Sequence, residues 1–241
     1  MTQFYTPHLT DNSEYIVVDS SEFYHIIKTQ RHKLSDIIKI FNGKGIKAEA
    51  KIDFIDKDKV GLKILKKEFL NKKKYNIEVI LGIIKIDRFE LTLEKLTEIG
   101  VTSITPVICT RVNVGLDSFT RRYERFNKII LEAAKQSECG FLPELLSVKK
   151  LQELFFEQKI DFLNIVLNKN SQKNFSDIMK QIKDSNNIRI FVGPEGDFSE
   201  EEIEFLKQQK KTFFINISEN TLRSETAAIV SSSIVFYIKN C

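Results

Sequence analysis

The rhythm of apolar and polar positions changes near residue 75. Before it, apolar residues come in short runs, "YIVV", "DIIKIF", "AEAKIDFI" and "KVGLKIL", separated by turn signals such as Asn42-Gly43. These runs predict a small β-barrel or sandwich over residues 1–70, with one short helix near Ser21–Thr29. The lysine-rich stretch "KKEFLNKKKYN" reads as a linker. From Ile77 onward, strand-like and helix-like stretches alternate. "IEVILGII" predicts a strand and "DRFELTLEKLTEIG" a helix, in which Phe89, Leu93, Leu96 and Ile99 recur at helical spacing and Gly100 supplies the stop. "SITPVICT", "DFLNIVL", "IRIFVG" and "TFFINI" predict further strands. "TRRYERFNKIILEAAKQS", Phe175–Lys183, "SEEEIEFLKQQ" and a last segment from about Arg223 predict helices. Apolar strands alternating with helices predict an α/β domain over residues 75–241, with a parallel sheet covered on both faces.

Composition narrows the class. A chain of 241 residues, 42% apolar and 29% charged, fits an ordinary globular protein of one large or two smaller domains. No apolar run approaches the ~20 residues of a membrane span. The N-terminal stretch "MTQFYTPHLTDNSEYIVV" lacks a basic segment followed by an apolar one, so no signal peptide is expected. Cys109, Cys139 and Cys241 are odd in number and far apart, which argues against a disulfide framework and for a reducing, cytoplasmic setting. The three histidines and three cysteines show no ligand spacing, so no metal is expected. Charge is unevenly placed. Residues 1–74 hold 15 Lys and Arg against 10 Asp and Glu, and the rest hold 22 against 23, so the basic excess lies in the first third. That suggests a polyanion partner for the first module, with a lysine-rich surface of no special role as the alternative.

The chemistry concentrates in two loops. Ile190–Glu202 reads "IFVGPEGDFSEEE", a strand, a glycine loop and a helix start. Ser199 and Glu202 form a capping box, and Glu200 and Glu201 complement the helix dipole, so part of this acidity is structural. Gly193-Pro194-Glu195-Gly196-Asp197 follows a strand, where ligands bind in α/β sheets. Its carboxylates would repel phosphate, and no Lys-Ser/Thr offsets them. A ligand without phosphate and with positive charge fits better, and S-adenosylmethionine has both properties. A Rossmann-type nucleotide enzyme, binding NAD or ATP, is the reading this loop opposes. The second loop, "ISENTLRSETAA" at Ile217–Ala228, again joins a strand to a helix. Thr221 or Ser224 can cap that helix, and its small residues Ala227, Ala228, Ser231, Ser232 and Ser233 predict a close helix–helix contact, within the chain or between subunits.

Together the two loops resemble the RsmE family of ribosomal RNA (16S) uridine-N3 methyltransferases, of the SPOUT class. The family pattern "GPEGG-F-S-x-x-E" followed by "LG-x-x-I-LR-x-ETA" appears here as "GPEGDFSEEE" and "ISENTLRSETAA". "KIDRFELTLEKLTEIGVTSITPVICTR", "LEAAKQSECGFLPEL" and "EFYHIIKTQRHKLSDIIKIFNGKG" resemble further family segments, so the likeness spans nearly the whole chain. Asp197 stands where glycine is usual, Cys139 where arginine is usual, and Ile217-Ser218 where Leu-Gly is usual.

The resemblance implies a PUA-like RNA-binding barrel (1–70) and a parallel-sheet SPOUT domain (75–241) with a C-terminal trefoil knot. It also implies a homodimer, S-adenosylmethionine as cofactor, and ribosomal RNA of the small subunit as partner. The cofactor positions carried over are Leu167, Gly193, Pro194, Glu195, Gly196, Ile217, Ser218, Leu222, Arg223 and Ala227. Arg31, Lys33, Arg88, Arg111 and Gln136 are the RNA candidates. Arg223 is the candidate cation for charge developing on the uracil oxygens. Glu225 is a candidate proton acceptor or a first-turn capping group, which leaves the base unassigned. The alternative function is an RNA-binding protein of the same fold without methyltransferase activity.

Overall fold

The computed structural model describes residues 3–111, 115–156 and 160–241. The chain divides into two compact units, Met1–Lys72 with Leu131–Leu142, and Lys73–Ile130 with Pro143–Cys241.

The first unit holds β1 (Gln3–Tyr5), β2 (Tyr15–Asp19), α1 (Ser20–Tyr24), β3 (Ile37–Phe41), β4 (Ile46–Ile55) and β5 (Lys59–Phe69). Their sheet has the order β1-β3-β4-β5-β2. Alternate residues of β2 and β4 point inward and join Phe4, Phe23, Ile26, Ile38 and Ile40 in one buried core. The long β4–β5 hairpin corrects the linker boundary. Ile46 pairs with Phe69 and Glu49 with Lys66, so the lysine-rich start of that stretch is strand, with Lys66 and Glu68 exposed and Lys67 half-buried.

The second unit runs β6 (Asn76–Gly82), α2 (Ile86–Ile99), β7 (Ser103–Ile108), α3 (Leu116–Thr120), α4 (Tyr123–Gln136), β8 (Glu144–Leu145), β9 (Lys149–Lys150), α5 (Glu153–Phe156), β10 (Leu163–Leu167), α6 (Met179–Asp184), β11 (Asn187–Val192), α7 (Glu200–Lys207), β12 (Thr212–Ile215) and α8 (Ser224–Asn240). The last part of α4, from Leu131, groups with the first unit. The sheet order is β12-β10-β11-β6-β7-β8, and every pairing in it is parallel. That is the predicted architecture, and its physical basis is the run of six buried residues in β6 and five in β10, strands covered on both faces. On α2, Phe89, Leu93 and Leu96 are fully buried, and Gly100 ends the helix at φ +88°, where a side chain would be strained. Helix α8 lies against α2, β6 and β11 with its small residues Ala228, Ser231 and Ser232 buried, so a contact within the chain accounts for part of that composition.

Candidate functional site: the cavity at the strand ends

Parallel strands put all their carboxyl ends on one edge, and the two loops meet there. The loop after β11 is tight. A Cβ on Gly82, at the end of β6, would come within 2.6 Å of the Pro194 ring and nitrogen, so only glycine allows this approach. Asp197 sits at φ +60° and accepts a bond from the Phe198 N–H at 2.8 Å. The family's usual glycine thus gives way to a residue type that tolerates this left-handed conformation. The capping box is present. Ser199 N–H donates to Glu202 Oε2 at 2.7 Å, and Glu202 Oε1 also accepts the Thr110 N–H at 2.8 Å, which ties the chain just beyond β7 to α7. Burial and the nearby Glu202 and Asp197 carboxylates push the Cys109 thiol far above its usual range. The loop after β12 is held by Asn216 Oδ1, which accepts the Ser218 N–H at 3.1 Å, and α8 then starts at Ser224. Arg223, not Thr221 or Ser224, occupies the N-cap position, and its side chain makes no cap bond.

These loops and the end of β10 enclose a cavity of about 260 Å³. Leu167, Gly193, Pro194 and Glu195 line one part of it, and Ile217, Ser218, Leu222, Arg223 and Ala227 the other. Asn168, Lys169, Asn216, Asn220 and Thr221 also line it, and sequence reading had not singled these out as site residues. Gly196 turns away; its carbonyl accepts a bond from Arg111 Nη1 at 2.9 Å.

Arg88, at the first turn of α2, lies in the cavity wall and links its charges. Its guanidinium is 3.7 Å from Glu195 Oε1 and 3.8 Å from Glu225 Oε1. Arg223 Nη1 is 4.0 Å from the same Glu225 oxygen. All three distances exceed a hydrogen bond. Glu225 is buried, and its Oε2 has no hydrogen-bond partner among the described residues.

The other RNA candidates, Arg31, Lys33 and Gln136, are exposed residues of the first unit, Arg31 at φ +57°. That unit also contains a cluster that sequence reading missed. Glu22, His25 and Glu132 bring one ligand atom each within 4.8 Å of one another. The buried Lys135 ammonium donates to Glu22 at 2.6 Å, to Glu132 at 3.0 Å and to His25 Nδ1 at 3.1 Å, filling the place a metal ion would take.

A doubly covered parallel sheet with a cavity at its carboxyl edge, whose wall carries Glu195 and Asp197 beside Arg88, Lys169 and Arg223, defines an α/β ligand-binding domain. Residues 71–236 match the model of the RNA methyltransferase domain family. A ribosomal RNA small subunit methyltransferase E from Rickettsia conorii is 32% identical over 232 residues, covering 92% of this chain and 89% of the relative. The Bacillus subtilis protein of the same name is 27% identical over 230 residues, covering 91% and 89%. Among solved structures, ribosomal RNA small subunit methyltransferase E from Neisseria gonorrhoeae bound to S-adenosyl methionine superposes with a TM-score of 0.88 at 26% identity, covering 99% of this chain and 98% of that one. A methyltransferase from Legionella pneumophila in complex with the same cofactor gives 0.87 at 25% identity, covering 97% and 96%. The chain belongs to the ribosomal RNA small subunit methyltransferase E family. Among the described residues no helix is long and apolar enough to cross a membrane.

Proposed function

We propose that this protein is an S-adenosylmethionine-dependent methyltransferase acting on N3 of a uridine in small-subunit (16S) ribosomal RNA, in the cytoplasm. The carrying observation is the cavity wall. Apolar Leu167, Ile217 and Leu222 suit an adenosine, the Gly193-Pro194 backbone allows close approach, and Glu195 offers a carboxylate to the ligand's positive end. The donor set fits the cofactor. When bound, S-adenosylmethionine supplies an electrophilic methyl group, which N3 takes as it loses its proton while sulfur keeps the electron pair. The protein's own contribution is position and charge. Holding base and donor in line can supply about 7–11 kcal/mol. Arg223, 71% exposed at the cavity mouth, provides a fixed cation beside the uracil oxygens as charge grows there.

In this reading residues 1–70 are a PUA-like barrel that holds RNA through Arg31, Lys33 and its basic excess, and Arg111 and Gln136 add contacts. Residues 75–241 form the SPOUT domain. What supports its trefoil knot is the return path. Strand β12 lies at one edge of the sheet, yet α8, only a short loop later, packs over β6 and β11 in the middle. The exposed side of α8 serves the homodimer. Asp197 and Cys139, the departures that favour a binding protein without activity, are both accommodated. Asp197 keeps the loop geometry, and the Cys139 thiol donates to the Phe141 carbonyl at 2.9 Å.

The test has two parts. Calorimetry should find S-adenosylmethionine binding and no binding of NAD or ATP. Mass mapping of ribosomal RNA from cells with and without the protein should find one 3-methyluridine lost. Nucleotide binding in place of the methyl donor, or an unchanged RNA, defeats the proposal.

A further inference from the structure

We infer that the outer face of the first unit's sheet seats one unpaired nucleotide of the RNA substrate, its phosphate over Lys51 and Lys63 and its base on the ring of Tyr15; this rests on the methyltransferase reading above. Strand register builds the seat. Ile37 of β3 pairs with Lys51 of β4, Lys51 with Lys63 of β5, and Lys63 with Tyr15 of β2. Their neighbours Ile16, Ile38, Ala50, Ile52 and Leu62 lie in the core, so these four side chains point the other way, to solvent. The row starts where the loop of Arg31 and Lys33 ends, because Ile37 opens β3.

The lysine pair breaks a rule that the rest of the sheet keeps. Among the described residues, the other charged pairs in register are of opposite sign: Lys47 with Glu68, Glu49 with Lys66, Lys39 with Glu49, and Asp19 with Lys59. Lys51 and Lys63 oppose like with like, and neither has an ion pair or hydrogen bond among the described residues. Like charges directly opposite on a sheet face destabilise it. A phosphate between the two ammonium groups removes that repulsion and accepts a charge-assisted bond from each.

Tyr15 supplies the other half of the seat. Its ring stacks on Phe54, with centroids 6.5 Å apart and planes at 19°. Both rings press on the sheet at Gly61, where a Cβ would collide with each of them. The glycine thus anchors the pair, while Tyr15 keeps 41% of its surface exposed. Burial and the nearby Asp53 carboxylate hold the Tyr15 phenol above its usual range, so the ring stays neutral. Neighbouring strands lie about 5 Å apart, so the ring is one strand from the lysines, within reach of the base whose phosphate they hold. Aromatic rings stack on bases of any sequence, and only an unpaired base offers a free face. A duplex leaves the ring unused.

The experiment uses Lys63→Glu in the full-length protein, with Tyr15→Ala and Tyr15→Phe as further variants. The probe is a short single-stranded RNA centred on the uridine found by mass mapping, and the same strand annealed to its complement. Affinity is read by fluorescence anisotropy across a salt series, and stability by urea denaturation. K63E sets opposite charges across the strands, so its urea midpoint should equal or exceed the wild type's. Its affinity for the single strand should nevertheless fall about tenfold, and the slope of log affinity against log salt should become shallower by about 0.7 or more. Y15A should lose about tenfold on the single strand, with the salt slope and the duplex unaffected, and Y15F should bind as the wild type does. A K63E that keeps wild-type affinity and slope overturns the inference and leaves the face to a protein partner. So does a folded Y15A that keeps wild-type affinity for the single strand. Either result beside normal methylation by the wild type leaves the functional reading standing. Absence of RNA methylation by the wild type strikes that reading itself, and this inference with it.

Discussion

In the middle of the parallel sheet, Arg189 of β11 and Glu78 of β6 face each other in register, with Nε and Oε2 at 2.7 Å. Glu78 Oε1 also accepts from Thr105 at 2.6 Å, Arg189 Nη1 donates to the Leu154 carbonyl at 3.0 Å, and the guanidinium stacks on Phe162 at 3.9 Å. At the edge of the same sheet, the chain Glu195–Arg88–Glu225–Arg223 has every link between 3.7 and 4.0 Å, and Glu225 Oε2 has no hydrogen-bond partner among the described residues. Both groups are charged and both involve burial. Only the first has its hydrogen bonds completed by the protein. Under the proposed function, the difference separates charge used to hold the fold from charge available to a ligand.

The comparison predicts opposite consequences for truncation. Arg189→Ala leaves Glu78 charged and buried, and should cost about 3–5 kcal/mol in stability. Urea denaturation followed by circular dichroism measures this. Lys135→Ala in the first unit belongs to the same class and should lose a similar amount, with one added signature. Removing the ammonium exposes Glu22, His25 and Glu132 to a divalent ion, so zinc should restore part of the lost stability. If either variant unfolds at the wild-type urea concentration, completed hydrogen bonds do not mark structural charge here.

Arg223→Ala should do the reverse. Its side chain is 71% exposed and makes no hydrogen bond among the described residues that would be left broken, so the fold should keep its urea midpoint. Turnover should fall by about 10²–10³ in kcat, the usual loss of one preorganised donor to a developing charge. Near-normal methylation by R223A removes the residue from the site.

Legibility in the sequence followed the same division. The two loops and the Ser199–Glu202 box could be read because each is a local pattern with a local cause. The sheet could be read because strands buried on both faces are continuously apolar. The partners of Arg88 could not. Glu195 and Glu225 are more than a hundred residues away in sequence, and only the parallel order β11-β6 brings the start of α2 to the edge where both loops end. The signal was available in principle, because every helix that follows a strand of a parallel sheet starts on that edge. Arg189 and Glu78 were hidden differently. Each is one charge inside an apolar run, and pairing them needs the register. The orphan oxygen of Glu225 has no sequence signature, since burial at a helix start depends on what packs over it.

Glu202 sharpens the contrast further, because it is as buried as Glu225 and sits one loop away. Its two oxygens accept from Ser199 and Thr110, so it falls in the structural class. Ser199→Ala removes the reciprocal half of the capping box and should cost about 1 kcal/mol. Affinity for S-adenosylmethionine, measured by calorimetry, should not change. A stable S199A with weakened cofactor binding would show that the cap shapes the cavity as well as the helix.

The smallest effect concerns Asp197, which lines the cavity yet spends its Oδ1 on the Phe198 N–H at 2.8 Å. By the rule of completed hydrogen bonds it belongs with Glu202 and not with Glu225. Asp197→Gly should therefore change stability by less than ~1 kcal/mol. Glycine relieves the strain of φ +60° but loses the hydrogen bond and gains freedom in the unfolded chain, and these terms are of similar size and opposite sign. Asp197→Ala keeps the strain without the hydrogen bond, and should be about 1 kcal/mol less stable than the glycine variant. Affinity for S-adenosylmethionine should hold in D197G. A tenfold weakening, ~1.4 kcal/mol, would mean that the carboxylate faces the ligand despite its internal partner, and that hydrogen-bond completion fails to sort the charges of this cavity.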